Sequence, residues 1–69
     1  MRNKLLKEIR IKKGLTQVEV AAYLDISQGK LSKIESGQID LYAIDLIKLS
    51  KLYEVESKEL ASLIYESDF

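Results

Sequence analysis

The 69-residue chain can form only one domain, and a chain of this length buries only about 60% of the surface that its unfolded form exposes. It has no Cys and no His, which excludes disulfides, a soft-ligand metal site and catalysis through a thiol or an imidazole. Its 11 basic and 11 acidic side chains cancel, but residues 1–33 hold 8 basic against 3 acidic ones, a net +5, and residues 34–69 hold 3 against 8, a net −5.

The first predicted helix carries a basic surface. Asn3 can serve as its N-cap, and the helix is expected to run to about Lys13 before Gly14 ends it. Its apolar stripe consists of Leu5, Leu6 and Ile9. The other positions are mainly basic: Lys4, Lys7, Arg10, Lys12 and Lys13. We interpret them as a solvated face, with Arg10 as the exception.

The second helix is predicted to begin at Gln17, because a helix-start signal precedes it. Thr16 is a good N-cap, and Glu19 three residues later completes a capping box in which each side chain satisfies an unpaired amide. Apolar residues then recur at helical spacing, and the helix is expected to end with the last of them: Val20, Ala21 and Leu24.

A short turn and a third helix follow at once. Asp25 can enter the left-handed region with less penalty than most residues, and Ser27 supplies a second N-cap. Leu31 and Ile34 form a buried stripe, and Gly37 stands where a left-handed C-terminal cap belongs. The outer face of this helix is then polar or small: Gln28, Gly29, Ser32, Lys33 and Ser36.

This stretch, residues 16–37, resembles the helix-turn-helix of the phage Cro and repressor type, also called the XRE family. The matching residues occur in the family's order and spacing without a gap: Thr16, Gln17, Glu19, Val20, Ala21, Leu24, Ile26, Ser27, Leu31, Ser32, Ile34, Glu35 and Gly37. The alternative is an ordinary helical hairpin in another small bundle. The resemblance implies an all-α fold, a compact five-helix bundle of the phage-repressor type with a central helix-turn-helix, as one domain over residues 1–69.

A fourth helix is predicted after Gly37, with its start either after Asp40, the better cap, or after Tyr42, where the family places its cap. Its apolar positions are Leu41, Ile44, Leu46, Ile47, Leu49 and Leu52, and Asp45, Lys48 and Lys51 are expected to lie outside. The loop before it departs from the family, which often has Lys or Arg where this chain has Gln38 and Ile39. Phosphate binding through this loop is therefore expected to be weak or confined to main-chain amides.

A fifth helix is expected from Ser57 to about Tyr65 or Glu66. Part of its apolar face must close the core against the first helix. Because so short a chain is not expected to cover all of that face, we predict a homodimer contact there, with a frayed tail as the alternative. The residues assigned to this contact are Leu60, Leu63, Ile64, Tyr65 and Phe69.

The resemblance also implies which residues meet DNA. In the family the second helix of the motif enters the major groove, so base readout is assigned to Gln28, Gly29, Ser32 and Lys33. A Gln can pair with adenine N6 and N7, and a Lys can donate to guanine O6 and N7. Phosphate contacts are assigned to Gln17, Ser27, Lys30 and Gln38. The family further implies that Gln17 braces Gln28 and that Arg10 pairs with Glu35.

The predicted function is a sequence-specific transcriptional regulator, a repressor, that binds double-stranded DNA as a homodimer on an inverted repeat. One alternative is a protein-interaction module that uses the acidic second half to bind a protein partner. Another is an antitoxin or the DNA-binding fragment of a larger regulator. No enzyme activity, metal or cofactor is predicted, and the acids of residues 54–59 are interpreted as a solvated surface. Without a long apolar run or a signal-peptide pattern, a soluble cytoplasmic protein that does not bind membranes is expected.

Overall fold

Five helices follow one another in the computed structural model, which describes residues 4–65 apart from the side chains at positions 63 and 65. No strand occurs within this range, and the predicted all-helical architecture is confirmed. Asn3, the predicted cap of the first helix, lies outside the described residues. The helices are α1 (Lys4–Lys12), α2 (Gln17–Leu24), α3 (Gln28–Glu35), α4 (Ala43–Tyr53) and α5 (Ser57–Tyr65).

The start of α2 is closed by the predicted capping box. The amide of Glu19 donates to Oγ1 of Thr16 at 3.1 Å, and the amide of Thr16 donates to Oε1 of Glu19 at 2.9 Å. These bonds from the main chain and then the side chain of Thr16 lower the pKa of Glu19, because they favour its charged form. Two donors that a helix start leaves unpaired are thereby satisfied.

The turn between α2 and α3 has the predicted geometry. Asp25 adopts a left-handed conformation with φ of 59°, and the Ile26 amide donates back to the Ala21 carbonyl at 3.0 Å. Ser27 then accepts a hydrogen bond of 3.0 Å from the amide of Lys30 and so caps α3. The two helices are therefore fixed relative to each other by main-chain and capping bonds, which sets the direction in which α3 points.

One apolar core joins the five helices. Its largest member is Tyr53, and the first and last helices contribute Leu6, Leu60 and Ile64, all of them at most 1% exposed. Burying a large apolar side chain stabilises a fold by about 1.5–3 kcal/mol, so α5 is an integral part of this core. The other core residues are Val20, Ala21, Leu24, Leu31, Ile34, Leu41, Leu46 and Leu49.

The burial of α5 corrects part of the predicted dimer contact. Leu60 and Ile64 are completely buried within the chain, because α5 packs its apolar face against α4 and the rest of the core. As the chain is folded, they offer no surface to a second copy. The side chains of Leu63 and Tyr65, together with Phe69, lie outside the described residues, so that part of the contact stays a prediction.

The predicted face of α4 also needs correction. Ile44 and Ile47, assigned to the apolar stripe, are 58% and 43% exposed, whereas Asp45, expected outside, is buried. The core side of α4 is set by Leu49 and Tyr53, one helical turn apart. At 100° per residue Ile44 and Ile47 point away from that side, and Asp45 lies closer to it. Asp45 lies in the first turn of α4, where the helix dipole favours a carboxylate.

The two ends of α4 are closed by main-chain geometry, and the start is the second of the two predicted positions. The N-cap is Tyr42, the family position, and its side chain makes no capping bond, so Asp40 does not start the helix. At the other end Glu54 adopts a left-handed conformation with φ of 59°, where its amide donates to the Lys51 carbonyl at 3.4 Å. A non-glycine residue in this conformation costs about 1–2 kcal/mol.

Candidate nucleic-acid interface

The exposed face of α3 is polar and carries the four residues assigned to base readout. Leu31, Ile34 and Glu35 point into the protein and anchor the helix. On the opposite side the structure exposes every assigned readout residue: Gln28, Gly29, Ser32 and Lys33. An α-helix with a polar, unobstructed side fits the width of the major groove of DNA, about 12 Å.

Behind this face lies a buried ion pair between α1 and α3. Nε of Arg10 donates to Oε2 of Glu35 at 2.8 Å, and Nη2 donates to Oε1 at 3.2 Å. The remaining Nη1 donates to the Leu15 carbonyl at 2.9 Å. The hydrogen bond to Glu35 raises the pKa of Arg10 further above its ordinary value, although burial acts in the opposite direction. The pairing implied by the family resemblance is therefore present.

A line of hydrogen bonds continues from this pair to the surface. Nε2 of Gln17 donates to Oε1 of Glu35 at 3.1 Å, and Nε2 of Gln28 donates to Oε1 of Gln17 at 3.4 Å. We call Arg10, Glu35, Gln17 and Gln28 the polar chain. It brings residues of three helices together and ends on a readout residue. The brace of Gln28 by Gln17 is present as expected, whereas the bond between Gln17 and Glu35 was not predicted.

The last bond of the polar chain orients the Gln28 amide. A side-chain amide has two N–H donors and one carbonyl oxygen. Pairing with adenine needs one donor for N7 and the oxygen for the N6 amino group. Since the bond to Gln17 uses a single donor of Gln28, one donor and the oxygen remain for a base.

Tyr53 lies at the buried end of the polar chain and was not predicted to belong to it. The loss of solvent on burial, followed by the negative charge of Glu35, raises the pKa of Tyr53 to about 12, and the positive charge of Arg10 offsets part of this rise. The sequence contained a signal for its burial, because Tyr53 follows the apolar residue Leu49 by one helical turn.

The residues assigned to phosphate contact lie on both sides of α3. Ser27 is exposed at its start, and Gln17 is half-buried beside it. Lys30 is also half-buried, and its Nζ lies 5.4 Å from the ring centroid of Tyr42, which is 66% exposed. This cation–π contact, worth about 0.5–1 kcal/mol at an exposed site, connects α3 to the start of α4 and was missed from the sequence.

The loop after α3 offers little to a phosphate. Its main-chain amides at Gln38 and Ile39 donate to the Lys33 carbonyl at 2.9 and 3.4 Å and thereby close the end of α3. They are consequently engaged within the protein, which favours the first of the two expectations for this loop, weak phosphate binding, over binding through its main-chain amides. The exposed Gln38 side chain remains as the polar group that this part of the loop can present.

Gly29 has no packing role within the described part of the chain. A Cβ built at this position would have no heavy atom within 4 Å, leaving aside the helix's own backbone. Glycine nevertheless costs about 1 kcal/mol relative to Ala in a helix interior. The open space beside Gly29 lies on the exposed face of α3, from which a base would approach.

Comparison with known proteins agrees with this geometry. A helix-turn-helix family model, HTH_3, matches residues 6–60, and neither the curated proteins nor the solved structures gave a match. Within residues 4–65 no helix is long and apolar enough to cross a membrane, and no group of carboxylates is arranged to hold a metal ion. The chain belongs to the helix-turn-helix family of the Cro/C1 (XRE) type, whose members are DNA-binding transcription regulators.

Proposed function

We propose that this protein is a sequence-specific repressor that reads the major groove of double-stranded DNA with α3, as a homodimer on an inverted repeat. The observation that carries the proposal is the polar chain, which runs from a buried ion pair to Gln28 on the exposed face of α3. Solvent-exposed polar residues do not need such support for solubility. A side chain that must pair with one base in one orientation does need such support.

The roles of the individual residues follow from their positions. Gln28 and Lys33 present the amide and ammonium groups that pair with adenine and guanine, Ser32 adds a hydroxyl, and Gly29 lets a base or a thymine methyl group approach. Phosphate contacts on the two sides of α3 fix its position in the groove without carrying sequence information. These are assigned to Gln17, Ser27, Lys30 and Gln38.

Dimerisation is proposed because a single α3 presents few base contacts. Two copies related by a two-fold axis double the contacts and read half-sites about 34 Å apart. Ile44 and Ile47 of α4 are exposed and available for a contact between copies, unlike Leu60 and Ile64. Together with the C-terminal residues 63, 65 and 69, they are the positions at which we place this contact. Repression is the proposed outcome, because occupancy of a site is sufficient for it.

The proposal is tested by selecting bound duplexes from a random DNA library at about physiological salt. We expect an enriched inverted repeat whose half-sites are one helical turn apart. A Gln28→Ala variant selected in parallel should lose preference at one position of each half-site, and Lys58→Gln, on the exposed side of α5, should enrich the same repeat as the unchanged chain. If binding stays at the roughly 10⁻⁴–10⁻⁶ M typical of non-specific contact and nothing is enriched, the proposal is wrong.

A second candidate function is a protein-interaction module. It is favoured by the charge of −5 over residues 34–69, by the absence of basic residues from Gln38 to Asp40, and by the exposed Tyr42 and Ile44. A protein partner would then meet the acidic second half. Salt separates the two functions, because release of counterions makes DNA binding fall steeply as salt rises. Steeply salt-dependent binding of duplex DNA therefore supports the regulator, whereas a protein-interaction module would show no such binding of DNA.

A further inference from the structure

A groove of about 320 Å³ opens beside the base-readout face and is lined by residues of three helices. We infer that this groove, bounded by Lys4 and Lys7, is a seat for a backbone phosphate of the bound DNA. The inference rests on the proposed function and adds a phosphate contact on α1, where the sequence had suggested only a solvated basic face. Its lining residues are Lys4, Lys7, Gln17, Ser32, Glu35 and Ser36.

The location of the groove follows from the polar chain. Gln17 lies in its wall and is hydrogen-bonded to both Glu35 and Gln28, so the groove and the readout residues are neighbours. Ser32 belongs to both, since it lines the groove and is exposed on α3. The phosphates of a strand border the major groove that it helps to form, so a helix in that groove brings its flanking residues next to the backbone.

The charge of the groove suits an anion despite the carboxylate of Glu35. That carboxylate is held by Arg10 at 2.8 Å, so its negative charge is balanced within the protein. Lys4 and Lys7 are exposed, are one helical turn apart, and form no ion pair with another described residue. Counting Lys4, Lys7 and the adjacent Arg10 against Glu35 leaves a net charge of +2 around the groove.

Hydrogen-bond capacity in the groove is also suited to phosphate oxygens, which only accept. Both ammonium groups are donors, and the Ser32 hydroxyl adds another. Ser36 does not add a donor, because its hydroxyl donates to the Lys33 carbonyl at 3.1 Å. We therefore assign the phosphate to Lys4 and Lys7, and Ser32 keeps its proposed role in base readout. The opposite flank of α3 differs, since the amides of Gln38 and Ile39 are already engaged and Asp40 is exposed there.

The test is a salt titration of DNA binding with charge-neutral variants. Lys4→Gln and Lys7→Gln should each make the plot of log affinity against log salt less steep, and the variant with both substitutions should do so by about 0.9, the value for one lost phosphate contact. Both single variants should lose affinity for the selected duplex and for a random duplex by the same factor. Lys58→Gln removes the same charge from the exposed side of α5 and should leave the slope unchanged.

A second measurement locates the contact. In a duplex with one neutral methylphosphonate at the contacted position, Lys7→Gln should weaken binding no further. With the methylphosphonate at another position, Lys7→Gln should still weaken binding. The groove assignment would be overturned if the slopes for Lys4→Gln and Lys7→Gln equalled that of the unchanged chain or that of Lys58→Gln. The proposed function would still stand in that case. Absence of salt-dependent binding by the unchanged chain would overturn both.

Discussion

At the buried end of the polar chain Arg10 holds Glu35 with two hydrogen bonds of 2.8 and 3.2 Å, whereas at the exposed end Gln28 meets Gln17 at 3.4 Å. The first pair is charged and screened from water, and the second is neutral and solvated. A charged bond in a low-dielectric interior is strong and fixed in geometry. A neutral exposed one is weaker, so it orients Gln28 without holding it rigidly.

The difference shows how a small domain can combine rigidity with recognition. The buried end connects α1 to α3 and fixes the position of the recognition helix, and Gln17 transmits this position to the surface. Because the exposed end is bound only loosely, Gln28 can adjust to DNA at small cost. Changes at the buried end should therefore affect stability, and changes at the exposed end should affect base preference.

The largest effect is expected from breaking the buried end. Arg10→Met leaves the Glu35 carboxylate without its cation, and Glu35→Leu leaves the guanidinium without its anion, so each should lower the free energy of unfolding by about 3–5 kcal/mol. The double variant removes both charges and should be much closer to the unchanged chain. Urea unfolding measures all three.

Lys12→Met serves as the control, because Lys12 is exposed on the same helix and should shift the urea midpoint little. A loss below about 1 kcal/mol for either single variant of the pair would show that the buried end is not a strong constraint. The comparison between the two ends would then fail.

Alkaline pH weakens the buried end through Tyr53. Its pKa is about 12 in the folded chain against an ordinary value of 10.0, so its contribution to stability is complete below pH 10 and is lost as pH rises through 12. We expect Tyr53→Phe to flatten the pH dependence of the unfolding midpoint between pH 10 and 12. Tyr23→Phe, at an exposed tyrosine, should leave the dependence unchanged.

At the exposed end the expected effect moves from stability to recognition. Gln28→Ala should reduce discrimination at one base position by about 1–3 kcal/mol and leave the free energy of unfolding nearly unchanged. Lys30→Ala should instead weaken all sequences alike and reduce the salt slope. Competition binding with single-base variants of the selected site measures both. Equal losses on selected and random DNA for Gln28→Ala would remove it from base readout.

The sequence predicted best what is decided locally. The starts of α2 and α3 follow from Thr16 and Ser27, and the intervening turn follows from Asp25, because caps and left-handed turns depend on residues within one helical turn. The outward face of α3 was predicted for the same reason, since two buried positions, Leu31 and Ile34, fix the direction of a helix.

Features set by contacts across the fold could not be predicted. The apolar residues of α4 surround more than one side, and the sequence assigned Ile44 and Ile47 to a stripe that the packing of the other helices leaves exposed. The buried Asp45 depends on how α4 lies against its neighbours. The bond from Gln17 to Glu35 joins positions 18 residues apart, and no local pattern indicates such a contact.

The smallest predicted effect separates stability from recognition at one residue of the exposed end. Gly29→Ala should stabilise α3 by about 0.5–1 kcal/mol, because the structure has open space for the new methyl group. The same methyl group occupies the side from which a base approaches, so affinity for the selected duplex should fall while that for random DNA changes little. Ser62→Ala, at an exposed position of α5, is the matched control and should raise stability without changing either affinity. If Gly29→Ala gains stability and keeps its affinity, the glycine is merely tolerated, and the bases do not come close to α3 at this position.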